Sequence, residues 1–192
     1  MRPAATSVLV ACLAVAAVPG LADQPRLRPN RDVDVTYRAT GAGPLPDGRR
    51  LDQRVRWLAA SQTMRIDPPT AGLYVIVDYA AKRMSVVREA TRSVVDMAAP
   101  EGVAGMAGNP GEGTYVRRGE DTVAGQACTE WETLDHDRRK ASVCITADGV
   151  LLRASTAGQA QVSAISVQYA PQDPAVFQIP PDYLRRSAEP RQ

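Results

Sequence analysis

From Asp32 onward, apolar and polar residues alternate in short runs that Gly, Pro and Asp-Gly pairs interrupt at intervals. In the first run, Val33, Val35 and Tyr37 fall on one face of a strand, and the polar residues between them fall on the other. A period of two is that of a half-buried strand, and short strands separated by turn residues are typical of antiparallel sheets. The pattern therefore predicts a mainly β protein with little helix.

The predicted strands are short and follow one another closely. They span residues 32–38, 51–58, 64–66, 73–78, 83–88, 93–97, 115–118, 121–123 and 161–169, with a bulge at Gly125 before the stretch that begins at Cys128. A two-residue loop at Ala81-Lys82 would place Val77 opposite Val86.

Two further hairpins are predicted between Cys128 and Arg153. Asp148-Gly149 is the strongest turn signal in the chain, since both residues tolerate the positive φ of a type I′ turn. A two-residue turn there pairs Ile145 with Leu152 and Cys144 with Arg153. The side chains expected to face inward on these strands are Trp131, Val143, Ile145 and Leu152.

Residues 1–22 have the pattern of a secretory signal peptide that is cleaved before about Asp23. Arg2 precedes an apolar run over 4–18, and small residues follow it. Pro19-Gly20 ends the run before the ~20 residues that a membrane-spanning helix needs. Lipoprotein processing at Cys12 is the alternative, but apolar sequence continues beyond this cysteine. We therefore expect an exported, periplasmic protein.

Export leaves Cys128 and Cys144, and a pair of cysteines in an oxidising compartment predicts one disulfide. Direct opposition of the two cysteines would centre the hairpin turn on His136 and place Glu132 opposite Lys140 on the same outer face as the disulfide. Redox-active pairs usually form Cys-X-X-Cys at a helix start. This spacing instead favours a structural clamp worth roughly 3 kcal/mol on the chain-entropy estimate.

Without residues 1–22, the remaining 170 of the 192 residues are enough for one domain with its own core. We expect an extended lead-in at 23–31, a single β domain at 32–183 and a disordered tail at 184–192. Within the proline-rich segment 170–183, Asp173 and Pro174 predict one helical turn. The side chains expected to pack this segment onto the barrel or the sheet edge are Val176, Phe177, Ile179 and Tyr183.

The charge pattern argues against a nucleic-acid partner. Loss of Arg2 with the leader lowers the formal net charge from +2 to +1. The arginines are interleaved with Asp and Glu, whereas binding to nucleic acid requires a patch of one sign. We expect a monomer.

The residues that could carry chemistry do not form a catalytic set. His136 is the only histidine and falls at a predicted hairpin tip between Asp135 and Asp137, where an exposed turn residue is a better interpretation than a zinc ligand or triad base. Asp32 and Asp34 share a strand face without a third ligand for a cation. No phosphate loop, Cys/His metal spacing or activated-serine pattern is present. We therefore expect no enzymatic activity, no metal and no cofactor.

One strand face is continuously apolar and is the candidate ligand-binding surface. Its residues are Trp57, Met64, Leu73, Val75, Val77, Met84 and Val86. Ordinary core packing is the alternative, because only a well-formed pocket distinguishes binding from packing. The Gly- and Pro-rich stretch 98–113 has two interpretations as well. It is either a plain loop or a lid that closes over a groove with Val103 and Met106.

Several stretches resemble exported bacterial proteins of unknown function that are related to the periplasmic lipoprotein carrier (LolA-like) superfamily. They are VAGQACTEW, VCITADGVLLR, YAPQDPAVFQIPPDY, DVDVTYR and GLYVIVDYAAKRMSVV, and they lie between Asp32 and Tyr183. The resemblance implies a curved antiparallel sheet or half-open β-barrel whose concave face receives an acyl chain or another hydrophobic ligand. The carrier relatives lay helices across the mouth, and this chain has no amphipathic helix. Docking of a cell-envelope protein is the alternative function.

Overall fold

We describe the fold from a computed structural model, which covers residues 24–39, 52–99, 114–134 and 138–188. Within these residues the chain forms twelve strands and two single 3₁₀ turns, at Ala59–Ser61 and Pro174–Phe177. The strands are β1 (Val33–Ala39), β2 (Asp52–Leu58), β3 (Thr63–Asp67), β4 (Leu73–Asp78), β5 (Arg83–Arg88), β6 (Ser93–Ala98), β7 (Val116–Val123), β8 (Gln126–Leu134), β9 (Lys140–Ile145), β10 (Leu151–Thr156), β11 (Gln159–Gln168) and β12 (Leu184–Ser187).

All twelve strands belong to one curved, unclosed sheet in the order β12-β6-β5-β4-β3-β2-β1-β11-β10-β9-β8-β7. Two antiparallel meanders, β1 to β6 and β7 to β11, are joined where β1 pairs with β11. Consecutive strands therefore pair throughout each meander, as expected for short turns. The predicted fold class, mainly β with a half-open antiparallel sheet and little helix, is confirmed.

One face of the sheet, which we call the inner face, carries the main core. Val33 lies opposite Trp57, and Val35 lies opposite Val55, so the apolar rows predicted from the alternation meet across the strands. Most residues of the larger buried cluster lie on this face. Trp57 of β2 and Leu151 of β10 line one small cavity, although β1 and β11 separate these strands in the sheet. The sheet therefore curls around the inner face, and this face is concave.

The opposite, outer face carries rows of paired charges on β1 to β3. Asp34 is bound by Arg54, and Asp67 is bound by Arg56 and Arg65. Cross-strand pairs of opposite charge are the usual way for a sheet to present a solvated face. Asp34 is thus an ion-pair partner rather than a cation ligand.

The C-terminal segment, residues 170–183, folds back over the outer face of the sheet, so of the two predicted places it packs onto the barrel wall. A second cluster of buried residues on β4, β5 and β6 lies there, against partly buried Ile179 and Tyr183. The predicted helical turn is present, and Asp173 caps it by accepting a hydrogen bond from the backbone N–H of Ala175. The buried residues of the second cluster are Tyr74, Ile76, Val87 and Val94.

The prediction of disorder from residue 184 onward is wrong for Leu184–Ser187. This stretch forms β12, which pairs in parallel with β6. Its ladder is supported on the outer face by Arg185, whose guanidinium binds the carboxylate of Asp96 at 3.0 Å. The alternation did not indicate a strand because all four residues of β12 are exposed.

The register predicted at Ala81-Lys82 is wrong by two residues. Val77 lies opposite Met84 instead of Val86, because the loop has four residues instead of two. Lys82 adopts a positive φ of 51°, and the side chain of Asp78 accepts a hydrogen bond from the N–H of Ala81. An aspartate that binds the backbone of its own turn stabilises a longer loop than the apolar pattern suggests.

Two turns of the second meander also differ from prediction. Gly125 is not a bulge: with Ala124 it forms a two-residue turn in which both residues have positive φ, as in a type I′ hairpin. At Asp148-Gly149 the loop has three residues, so Leu151 rather than Leu152 lies opposite Ile145. A bulge at Leu152 then restores the predicted pairing of Cys144 with Arg153.

Cys128 and Cys144 form a disulfide with a Cα–Cα distance of 5.4 Å. They are diagonal neighbours rather than directly opposed, since Cys144 faces Glu130 and the register of this hairpin is displaced by two residues. The outer-face placement is correct, because the cross-strand neighbours of Cys144 are Glu130 and Arg153. Both cysteines are nevertheless buried.

The shifted hairpin register changes the neighbours of Glu132. This residue lies opposite Ser142 rather than Lys140, which faces Leu134. The carboxylate is still 4.0 Å from Lys140, but its closer partner is Arg118 at 3.0 Å. The hydrogen bond from Arg118 lowers the pKa of Glu132.

Candidate functional site

The seven residues predicted to face a ligand all lie on the inner face, which the structure divides into two halves. Trp57, Met64 and Val77 are fully buried in the core cluster. The other four are half-buried: Leu73, Val75, Met84 and Val86. The predicted face is therefore one continuous surface, but only its second half retains solvent contact.

The first half of the inner face is covered by residues 24–31, which we call the lead-in. Leu27 packs against the core cluster, and Leu27, Arg28 and Pro29 line a cavity together with Trp57. About 20 Å³ remains in this cavity. Such a volume accommodates about one water molecule and no part of an acyl chain.

A small number of polar contacts hold the lead-in in place. The N–H of Asn30 donates to the carbonyl oxygen of Asp148 at 3.0 Å, and Arg31 binds the Asp148 carboxylate at 2.6 Å. The Arg31 guanidinium also lies 3.7 Å from the centroid of the Tyr169 ring. About half of the Arg31 side chain is exposed, so solvent screens its ion pair with Asp148 and the pair holds the lead-in only weakly.

The lead-in passes closely over the turn between β9 and β10, and Gly149 makes this passage possible. A Cβ at Gly149 would come within 2.3 Å of the carbonyl oxygen of Arg28. Gly149 also has a φ of +91°, which L-residues with a side chain rarely adopt. The turn chemistry predicted from the sequence explains the φ, and the contact with Arg28 is a second requirement visible only in the fold.

Two buried polar groups of the inner face differ in how they are satisfied. The Tyr37 hydroxyl donates to the carbonyl oxygen of Leu151 at 2.6 Å, and burial raises the pKa of this phenol far above its ordinary value. The Nε1–H of Trp57 has no hydrogen-bond acceptor among the described residues. A buried donor without a partner costs about 1–3 kcal/mol.

The second half of the inner face is a strip of cross-strand apolar rows on β4, β5 and β6, which we call the inner strip. One row pairs Val75 with Val86 and Val86 with Val95; the next pairs Val77 with Met84 and Met84 with Met97. The half-buried residues of the strip are Leu73, Val75, Met84, Val86, Val95 and Met97. Val95 and Met97 continue the same alternation but are not among the residues predicted to face a ligand.

On β5 and β6 the outer face of the sheet is buried more deeply than the inner face, which is the reverse of the arrangement on β1 and β2. On β5, outer-face Val87 is fully buried under the C-terminal segment, whereas inner-face Val86 keeps solvent contact. The same holds on β6, where Val94 is buried and Val95 is not. The C-terminal segment thus supplies the packing for the outer face of these strands, and their inner face keeps partial solvent contact.

A second concavity of about 320 Å³ lies on the outer face between the C-terminal segment and β3–β5. Its walls are mixed, with apolar Ile76 and Phe177 beside Arg83 and Asp78. The Ser85 hydroxyl on the same wall donates to the Asp96 carboxylate, so its proton is directed to an acceptor. The Asp96 carboxylate also binds Arg185 at 3.0 Å, so Ser85 belongs to an ion-paired network that joins β5, β6 and β12.

The structure describes some of the polar residues that the sequence singled out as candidates for chemistry, and others lie outside the described ranges. Asp32 uses both carboxylate oxygens to accept from backbone N–H groups, those of Ala59 and Gln172. Among the described residues no group of three potential metal ligands converges, and no helix has the length and apolar character of a membrane span. Of the residues considered for a site or a lid, Val103, Met106, Asp135, His136 and Asp137 lie outside the described ranges.

Comparison with known proteins identifies a shared fold. No protein-family model and no curated protein matches the chain. The crystal structure of an uncharacterized conserved protein from Thermus thermophilus superposes with a TM-score of 0.58 at 12% identity, over 83% of this chain and 91% of that one. Identity this low establishes the architecture alone.

Two larger proteins contain the same architecture. PNGF-II superposes with a TM-score of 0.54 at 11% identity over 82% of this chain, and MucB with 0.50 at 11% identity over 82%. The chain spans 32% of the PNGF-II chain and 60% of the MucB chain. In both cases the similarity covers a part of a longer protein.

Proposed function

We propose that this chain is an exported, non-catalytic binding protein that holds a hydrophobic or lipid-like ligand on the concave face of its sheet. The observation that carries the proposal is the inner strip, where Val86 and Met84 keep solvent contact at the centre of two apolar cross-strand rows. Contiguous apolar surface that stays accessible on a concave face is characteristic of ligand sites.

The packing around the strip favours a binding surface over an incompletely formed core. Strands β4 to β6 already have a buried cluster on their outer face, so their stability does not depend on closing the inner side. The row that contains Met84 also leads through Val77 and Met64 to the cavity beside Trp57, whose buried N–H lacks an acceptor among the described residues. A ligand with an apolar chain and an oxygen acceptor complements both features.

The sequence resemblance to the periplasmic lipoprotein carrier superfamily supports the same ligand class. The disulfide between Cys128 and Cys144 is compatible with an oxidising compartment, and the signal-peptide pattern of residues 1–22 supports export to the periplasm. The proposal includes that the protein is a monomer and binds neither a cofactor nor nucleic acid.

The proposal is tested with protein expressed in the periplasm. Native mass spectrometry should detect a co-purified lipid, and a dansyl-labelled undecanoic acid should bind with saturable fluorescence enhancement. The isosteric change Val86→Thr combined with Met84→Gln removes apolar contact from the strip. We expect this double variant to bind the probe about tenfold more weakly, in line with about 1.4 kcal/mol of lost apolar burial.

Ile165→Thr is the matched control, because Ile165 is 41% exposed and lies on β11, outside the strip. It should leave probe affinity unchanged. A protein mass without adduct together with no uptake of the probe would overturn the proposed function.

A second candidate function is the docking of a cell-envelope protein through the edge strand β7. In the part of the chain that the structure describes, β7 pairs on one side only, with β8. Val116 on β7 and Leu134 at the end of β8 are 45% and 49% exposed. Photocrosslinking from position 116 in periplasm should then capture a specific protein, and its absence alongside lipid binding would exclude this function.

A further inference from the structure

The rows of the inner strip do not end where the lead-in begins. Trp57 lies opposite Met64, Met64 opposite Val77, Val77 opposite Met84, and Met84 opposite Met97, so one cross-strand row extends from the covered half to the open half. The boundary between the halves is therefore set by the lead-in and not by a change in the sheet.

We propose that the lead-in is a displaceable occupant of the groove, which a bound ligand replaces in order to reach Trp57 and Met64. The inference rests on the proposed function and adds regulation to it. In the closed state described above, the ligand has access to the inner strip alone. In the open state, the groove extends along the same cross-strand row over two more strands, β3 and β2.

The contacts of the lead-in are of the kind that open locally. It belongs to no strand, and among the described residues one backbone hydrogen bond, from Asn30 to Asp148, ties it to the sheet. Its polar side-chain contacts include the exposed pair of Arg31 with Asp148 and the stacking of Arg31 on Tyr169 at 3.7 Å and of Arg28 on Tyr79 at 4.5 Å. Its apolar packing comes from Leu27, which is only partly buried. Segments with few buried contacts and exposed polar ones open without global unfolding.

The Leu27 side chain is small compared with the apolar surface around Trp57 that it covers. Leu27 is a single apolar residue packed against the core cluster, and it is only partly buried. The Trp57 N–H beneath it stays without an acceptor among the described residues, so the closed state leaves one interaction unmade. An incoming acyl ligand that carries an oxygen acceptor makes this interaction and replaces the contacts of Leu27.

The experiment loosens the lead-in without altering the groove. Asp148→Asn removes the ion pair with Arg31 and keeps a residue that suits the turn before Gly149. The matched control is Asp52→Asn, which removes the ion pair of Asp52 with Arg38, a pair of similar exposure away from the groove. Amide exchange of Asn30 is measured by NMR, and affinity is measured with the dansyl-labelled undecanoic acid.

Because opening limits the apparent affinity, a larger open fraction tightens binding in proportion. We expect Asp148→Asn to exchange the Asn30 amide faster and to bind the probe about two- to fivefold more tightly. Adding Leu27→Ser should bring the gain to about tenfold. Asp52→Asn should change neither quantity. Quenching of tryptophan emission by the dansyl group should increase with the loosened variants, since Trp57 becomes part of the site.

The outcomes separate the two proposals. The probe could bind to the wild type and more weakly to the strip variant Val86→Thr/Met84→Gln, while Asp148→Asn leaves the affinity unchanged. That result overturns the displaceable lead-in and leaves the proposed function standing. Exchange of Asn30 no faster than that of core Val35 in the wild type also overturns the displaceable lead-in. If Asn30 exchanges faster in the variants and still no variant binds the probe, the groove is open and empty, and the proposed function is overturned with the regulation built on it.

Discussion

The carbonyl oxygen of Arg28 lies against Gly149, at a point where a Cβ on the glycine would approach it to 2.3 Å. This contact joins the lead-in to the turn between β9 and β10. Gly149 therefore serves two purposes, since its positive φ closes the turn and its missing side chain admits the chain above it.

Gly149→Ala should destabilise the protein more than a positive φ alone explains. Alanine in the left-handed region costs about 1–2 kcal/mol, and the clash with Arg28 adds about 1–3 kcal/mol unless the lead-in moves away. The control is Gly158→Ala, because Gly158 has a similar φ of +76° and nothing within 4 Å of an added Cβ. Urea unfolding compares the two, and equal losses would contradict close packing of the lead-in.

The stability of the outer face should depend on the protonation of Asp67. Burial alone would raise the pKa of this carboxyl, but hydrogen bonds from Arg65 and Arg56 outweigh it and lower the pKa below its ordinary value of 3.8. A lowered folded pKa means that stability is fully present above the unfolded pKa and is lost as the pH falls through the folded pKa.

We therefore expect Asp67→Asn to be less stable than the wild type by about 1–3 kcal/mol at pH 7. The difference should shrink as the pH is lowered from 4 to 2, because the wild-type carboxylate becomes neutral. Urea midpoints at pH 7, 4, 3 and 2 measure it. A constant difference across this range would show that the ion pairs of Asp67 do not contribute.

Arg65 attaches the C-terminal segment to the sheet. Its Nη1 donates to the carbonyl oxygen of Val176 at 2.7 Å, and its guanidinium lies 4.0 Å from the centroid of the Tyr74 ring. Arg65→Lys keeps the charge and loses the planar fork that makes both contacts. We expect proteolytic cleavage near Phe177 to become faster and stability to fall by about 1–2 kcal/mol.

Arg54→Lys provides the comparison for Arg65→Lys. Arg54 also lies on the outer face and forms a bidentate pair with Asp34, but its guanidinium is bound to β1 and not to the C-terminal segment. This variant should leave cleavage near Phe177 unchanged. Equal acceleration in both variants would mean that the segment is released by general loosening and not by loss of the Arg65 contacts.

Removal of either cysteine should reduce the stability of the protein by the same amount, because each substitution breaks the same disulfide. Cys128→Ser and Cys144→Ser should each lower the free energy of unfolding by roughly 3 kcal/mol, and the double variant should lose no more than either. Reduction of the wild type gives the same measurement without a substitution, which matters because both sites are buried. Additive losses in the double variant would contradict the pairing.

Much of the candidate site could be predicted from the alternation alone. Val75, Val77, Met84 and Val86 were assigned to one face, and the structure confirms that they share it. The period-two pattern carries this information because adjacent side chains of a strand must point to opposite sides. The same pattern cannot distinguish registers that differ by two residues, since such a shift leaves every side chain on its face. That is why the hairpins at Lys82 and at the cysteines were assigned to the correct faces and the wrong partners.

By itself, then, the sequence determined most of the strands, the faces of their apolar residues and the pairing of Cys128 with Cys144, because these follow from local sterics, short-range burial and the cysteine count. Only the tertiary structure decided what covers each face. The lead-in fills half of the inner face through Leu27, and the C-terminal segment with β12 protects the outer face of β4 to β6. Neither the lead-in nor residues 170–183 has a periodic pattern, because each is held mainly by side-chain contacts to distant strands and not by a ladder of its own. Their places depend on how the sheet curls, and this curl is a property of all the strands together.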